Sequence, residues 1–434
     1  MLAFALVTLL HAQSPDGQPT PPATSSDAPS TTPATPTKDT DEAPTGTATT
    51  PVTTTPPAVA PTPPPPAPPI VSATPAKIEA PFGYTPKDGF SLASADGNNK
   101  VRIGGLVQPR FSVVAADSDT TKWTSSFEIK RAQIELSGTV FSKDIGFQLK
   151  SEFGGGQAFI KDAYIDFRIF EGAAKIRTGL WKRFFNRQEM TSDWRLAFLD
   201  RAVTNTAFFG GRDIGVALTN DIEKSPTLEY GLGVFSGTSE KPKVTGDVVL
   251  DPDKGDHIDN VKISNVPKLF TPTFVGRIGY NSSPDVQGYS EIDTVGGGFR
   301  FGVATSVLEA VDISGKGKGA TRGEVDAIVK AFHVDAEVAV FGSAAQANPK
   351  IAIATDYDAA GFHAQAGVLL FDTVHPGVRY AAVTHADAHL EQEALVNVTW
   401  LMFGQNVEWG AEAGVNFKDA APTAVFRTQA QVAF

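Results

Sequence analysis

From Lys100 onward the chain alternates apolar and polar side chains with a period of two, in segments of about ten residues separated by Gly, Asn, Asp and Pro. That spacing belongs to strands. No later stretch approaches the ~18 consecutive apolar residues of a membrane-crossing helix. Any bilayer crossing in this region must therefore use strands closed on themselves, because an open sheet edge leaves backbone groups unsatisfied in hydrocarbon. The last three segments are the clearest. Ala394, Val396, Val398, Trp400 and Met402 oppose Asn397 and Thr399. Val407, Trp409, Ala411, Ala413 and Val415 oppose Glu408, Glu412 and Asn416. Ala424, Phe426, Thr428, Ala430, Val432 and Phe434 oppose Arg427, Gln429 and Gln431.

Alternation alone fits a soluble sandwich as well as a membrane barrel, since the two differ only in which face meets the solvent. Three features favour the barrel. Many apolar positions are Ala or Gly, too small to fill a sandwich core ~10 Å thick. Phe153, Phe170, Phe371, Tyr380 and Trp409 fall near segment ends, like the aromatic girdles at a membrane interface. Phe434 closes an alternating strand at the end of the sequence.

Connection lengths alternate too. Phe141 to Asp144, Glu171 to Ala173, a turn near His333 and Gly404-Gln405 are tight, whereas Ala115 to Ser126, Trp181 to Asp213, Ser236 to Pro272 and Gly342 to Ala359 are long. Bacterial barrels place short turns on the periplasmic side and long loops outside. The span from Asn281 to Asp293 fits that scheme least, and strand register is provisional between Asn281 and Arg322. The count is sixteen strands, from Lys100–Val114 to Pro422–Phe434, a size that leaves an aqueous lumen.

Ahead of the strands the composition changes. Leu2 to Leu10 is a short apolar run followed by His11-Ala12, which predicts a signal peptide over residues 1–12; it lacks a basic n-region, so a short membrane anchor is the alternative. Residues 13–80 are dominated by Pro, Thr, Ala and Ser and predict a disordered periplasmic spacer, leaving 88–434 as the barrel. The absence of cysteine excludes disulfides and thiolate metal sites. Of the formal charge of -11, the part after Ala80 carries 42 acids and 35 bases, which does not suggest nucleic-acid binding and makes any attraction of anions a matter of local clustering.

Several segments resemble the phosphate-selective porin O/P family, from about Asp88 to Phe434 and least between Ser236 and Gly323. DGFSLASADGNNKVRIGG resembles that family's first strand, and FEIKRAQIELSGTVFSKDIGFQLKSEFGG its second and third. GLWKRFFNRQEMTSDWRLAFLDRA followed by GRDIGV resembles its fifth strand, third external loop and sixth strand, and NVTWLMFGQNVEWGAEAGVNF its penultimate hairpin. Where family members commonly have Lys-Glu-Pro-Phe, this chain has Lys182-Arg183-Phe184-Phe185. The resemblance implies a trimeric sixteen-stranded porin of the Gram-negative outer membrane, whose third loop folds inward and whose Arg and Lys side chains guide anions. Passive diffusion through such a pore would need no cofactor.

If the loop folds inward, Lys182, Arg183, Arg187, Arg195, Arg201 and Arg212 are the candidate constriction residues, against Glu189, Asp193, Asp200 and Asp213. Simple Arg–carboxylate pairing within the loop is the competing account. Parity places Arg102, Arg110, Arg131, Lys150, Arg168 and Arg427 on the lumen wall, because a charge facing lipid at mid-depth costs about 2–4 kcal/mol. Pairing with Glu135, Glu152 and Glu408 would make these a plain solvated wall. Gly315 to Gly319 lacks the Ser or Thr of a phosphate loop. Gly154 to Gly156 suits a tight turn. His385 and His389 flank a short loop and do not suggest a metal site, and no catalytic set is recognisable. The expected partners are small anions or other solutes, outer-membrane lipids and two further copies of the chain. The rival is a structural protein whose Pro/Thr leader reaches toward peptidoglycan.

Overall fold

The computed structural model describes residues 82–85, 89–116, 123–156, 158–237, 243–249, 257–264, 272–311, 320–345, 358–385, 389–418 and 421–434. The expected signal peptide, the Pro/Thr spacer and the Gly315–Gly319 run lie outside them. Sixteen strands form the wall: β1 Lys100–Ala116, β2 Trp123–Val140, β3 Ser142–Glu152, β4 Phe159–Ile169, β5 Ala174–Lys182, β6 Arg212–Thr219, β7 Leu228–Phe235, β8 Thr273–Asn281, β9 Arg300–Ala310, β10 Ala320–Ala331, β11 Val334–Ala345, β12 Ala359–Val368, β13 Val374–His385, β14 Leu390–Leu401, β15 Val407–Lys418 and β16 Ala421–Ala433.

Each strand pairs antiparallel with the next, and β16 returns to β1 with Gln429 opposite Arg110 and Ala433 opposite Leu106, so the sheet closes. Closure removes the free edges that a bilayer would not tolerate. Two hairpins accompany the wall. Phe82–Thr85 and Gly89–Ala93 pair with each other and onto the start of β1 (Phe90 opposite Ile103), and Lys243–Val249 pairs with His257–Ser264. β7 and β8 nevertheless pair directly, Phe235 opposite Thr273.

Burial settles which face is which. In β14 the apolar Val396 and Trp400 are 57% and 50% exposed, while Asn397 and Thr399 are each 3% exposed. A soluble sandwich would show the reverse. The same inversion holds in β15, with Trp409 outside and Glu408 and Glu412 inside, and in β16, with Phe426 and Val432 outside and Gln429 and Gln431 inside. An apolar exterior around a polar interior is what lipid outside and water inside select.

The connections after β2, β4, β10, β12 and β14 are short and lie at one end of the wall. At the short-turn end, Phe141, Phe170, Phe332 and Phe371 take left-handed backbone angles and leave their rings exposed. The span after Asn281 departs from its neighbours. Residues 282–299 join β8 to β9 at the short-turn end, yet Val286, Tyr289, Ile292 and Asp293 within them are buried.

Candidate pore constriction

The long segment between β5 and β6 lacks the period-two pattern and forms no strand. Asn186 starts a short helix, α1 (Arg187–Met190), by accepting hydrogen bonds from the Gln188 and Glu189 amides through its side chain. A second helix, α2 (Val203–Ala207), precedes the return to β6. Phe184, Phe185 and Phe208 are buried against Val275, Leu308, Phe341 and Val383, which come from β8, β9, β11 and β13. Ala197 and Phe198 pack with Leu395, Leu401 and Val425 of β14 and β16. The wall makes room with glycine. A Cβ at Gly231, Gly361 or Gly410 would stand 2.7 Å from Phe184, Phe208 or Leu199 respectively.

Polar contacts tie the same segment to distant strands. The Asn186 amide donates to Glu324 at 2.6 Å and the Arg187 guanidinium to Asp326 at 2.5 Å, both carboxylates on β10. Asn397 of β14 donates to the Ala197 carbonyl at 2.5 Å, and Glu412 of β15 accepts from the Leu199 amide at 3.2 Å. Arg379 of β13 donates to the Asp200 carbonyl at 2.7 Å.

Residues 282–299 approach from the opposite end. The Lys330 ammonium donates to the carbonyls of Gln287, Ser290 and Ile292, and Arg300 grips Asp293 with two bonds of 2.8 and 2.9 Å. The two segments meet. The Glu291 amide donates to the Arg195 carbonyl at 3.0 Å, and the Ala197 amide donates to the Glu291 carboxylate at 2.7 Å.

The charges of β1 to β5 face the other flank of the long segment, and Asp193 is their hub. It accepts from Lys161 at 2.7 Å and Arg201 at 2.9 Å, with Arg131 at 3.4 Å. Burial alone would raise its pKa, but Lys161, Arg131 and Arg201 hold it well below the ordinary carboxylate range. Glu189 is likewise buried yet held low by Arg201, Lys182 and Arg212. Both therefore stay ionised. Lys182 donates to the Glu189 and Thr191 carbonyls, and Arg212 pairs with Asp162 at 2.8 Å. Arg195 differs from the rest. Its guanidinium lies 4.4 Å over the Trp194 ring and has no carboxylate partner among the described residues. Burial, with Arg102 nearby, lowers its pKa from the guanidinium value.

The twelve candidate side chains thus separate into groups. Lys182, Arg195, Arg201, Arg212, Arg102, Arg131 and Lys150 lie on the part-exposed flank, with Arg102 and Lys150 sharing Glu135 at 2.7 Å each. Arg183 is sealed against Asp213 and Arg187 against Asp326 and Glu229. Arg110 pairs with Asp200 at 2.5 Å, Arg427 with Glu412 at 2.7 Å, and Arg168 lies 3.9 Å from Asp221 near the short-turn end. Lys161 was not among the candidates. Simple parity turns it toward lipid, but the register shift opposite Lys150 and Ser151 rotates it inward. Among the described residues no group of His, Cys, Asp or Glu could hold a metal ion.

A closed barrel with a lipid-facing apolar exterior and a charged interior is the wall of an outer-membrane channel, and its place is the Gram-negative outer membrane. The chain belongs to the family described as phosphate-selective porin O and P, whose sequence profile matches residues 101–375, more than half of its length. Among solved structures it is similar to the outer membrane channel DcaP of Acinetobacter baumannii, with 13% identity, a TM-score of 0.51, and coverage of 79% of this chain and 99% of that one. The Pseudomonas putida protein OprB has 10% identity, a TM-score of 0.51 and coverage of 77% and 94%. An anion-selective porin from Comamonas acidovorans has 10% identity, a TM-score of 0.50 and coverage of 77% and 99%. No curated protein sequence matches the chain.

Proposed function

We propose that this porin passes small solutes by passive diffusion with a preference for anions such as phosphate, through a lumen narrowed by the inward segment between β5 and β6. The carrying observation is the flank opposite the apolar packing, where positive charge outnumbers negative. Arg102, Arg131, Lys150, Lys161, Lys182, Arg195, Arg201 and Arg212 face Glu135, Glu152, Asp162, Glu189, Asp193 and Asp200. Two unit charges 4 Å apart interact by about 1 kcal/mol in bulk water and about 4 kcal/mol near a protein surface, so a small local excess suffices to bias permeation. Arg195, without a carboxylate partner among the described residues, is the side chain best placed to exchange one anion for the next. No bond is broken and no cofactor takes part. Three copies assemble, as the family resemblance implies.

The test is the reversal potential of the purified protein in a planar bilayer under a KCl gradient, repeated with phosphate added. A chloride-selective potential with phosphate block is expected. Cation selectivity without block would leave a general porin and remove the anion preference.

A further inference from the structure

Residues 282–299 play no part in the selectivity argued above, yet they enter the lumen from the end where barrel connections are normally short. Lys330 and Arg300 fix the residues on both sides of Glu291 to the β9–β10 wall. Glu291 brackets the stretch that carries Arg195, which has no carboxylate partner among the described residues. Its amide donates to the Arg195 carbonyl at 3.0 Å, its carboxylate accepts from the Ala197 amide at 2.7 Å, and Gln188 donates to the same carboxylate at 3.4 Å.

We infer that Glu291 is a positioning residue for the constriction: it holds Arg195–Ala197 from the periplasmic side, and gaining or losing its proton shifts where the Arg195 charge stands in the pore. The groups facing it are Arg201 and Gln188 from the long segment, Glu337 from β11, Gln365 from β12 and Arg379 from β13, while His363 of β12 stands 3.4 Å from Glu337. Burial first, and Glu337 second, push the Glu291 carboxyl up to about 7. The sign follows from linkage. A carboxyl whose folded value lies above its unfolded one favours the packed arrangement while protonated; that contribution is full below the unfolded value and is lost progressively as pH rises from there through the folded value. Once the carboxyl is ionised, a buried negative charge stands beside Glu337, and the grip on Arg195–Ala197 is weaker than at acid pH.

The inference rests on the proposed anion preference only for the direction of the selectivity change. The experiment measures reversal potential under a KCl gradient at steps from pH 6 to 8 for the full-length protein, Glu291→Gln and Glu291→Ala, with heat-modifiable migration on a gel confirming that each variant is folded. The wild type should change its chloride-to-potassium permeability ratio by roughly two- to threefold across this range, less than the tenfold that 1.4 kcal/mol would produce. Glu291→Gln should stay flat at the value the wild type shows at pH 6. Glu291→Ala, lacking the acceptor for Ala197, should be flat at a different value. A wild-type profile without a step, or a step retained in Glu291→Gln, overturns the inference. All histidines remain in both variants, so a histidine-driven step would persist and be recognised. The sign of the potential at pH 6 tests the anion preference separately.

Discussion

Gly361 of β12 and Phe208 of the inward segment are in such close contact that a Cβ on the glycine would stand 2.7 Å from the ring edge. The wall is shaped to receive that ring, and overpacking such a contact costs about 1–3 kcal/mol. Gly361→Val should therefore displace the segment while leaving the strand ladder intact. Single-channel conductance is expected to rise by about twofold or more, with heat-modifiable migration preserved; unchanged conductance would mean that the segment does not narrow the pathway.

Asp193 neutralises three cations at once. Asp193→Asn should increase chloride preference, and Lys161→Gln should decrease it, each by roughly two- to fivefold if the pair sits in the high-dielectric range of Coulomb interaction. Reversal potentials decide this. Equal shifts in the same direction for both substitutions would show that the cluster only braces the segment.

The depressed values of Asp193 and Glu189 also set a pH dependence opposite to that of Glu291. For a carboxyl held below its ordinary value, stability is present above the unfolded value and is lost as pH falls through the folded one. Their contribution to the temperature at which the folded band disappears should be constant from pH 7 to 5 and fall only below the ordinary carboxylate range of about 4. A decline beginning at pH 6 would contradict that assignment.

Arg187 is wholly buried and donates to Asp326, which Arg277 also contacts at 2.8 Å. Removing one partner of a buried ion pair costs about 3–5 kcal/mol because the remaining charge is left short of compensation. Arg187→Met should leave the barrel folded but release its end of the segment, making 183–211 cleavable by added protease. Protection equal to that of the wild type would show that the apolar packing of Phe184, Phe185 and Phe208 suffices.

Deleting residues 13–80 should leave conductance and selectivity unchanged, since the strands carry their own closure. Cosedimentation with purified peptidoglycan, compared with and without those residues, tests whether the leader reaches the cell wall.

The strands were legible because a period-two pattern flips every side chain if register slips by one. Val396 outside and Asn397 inside follow directly from it. What alternation could not say was which face met lipid; the apolar exposure of Trp400 answers that. Lys161 escaped because one bulged residue breaks parity locally. Arg183 and Arg187 could be counted as loop charges, but the carboxylate that seals Arg187 lies on β10, far along the chain, and no local pattern points to it. The 282–299 segment stood out only as a poor fit to the alternation of connection lengths. Its meeting with Arg195 and Ala197 is a tertiary fact with no sequence signature.

The inward segment leaves the wall at β5 and returns at β6, but Asn397 and Glu412, which hold its backbone, belong to β14 and β15. Contacts between residues so distant in sequence cannot form until the late strands have joined the sheet. The segment's final position is therefore specified by the far side of the wall: a sheet that lacks β14 and β15 has no partners for the Ala197 carbonyl or the Leu199 amide.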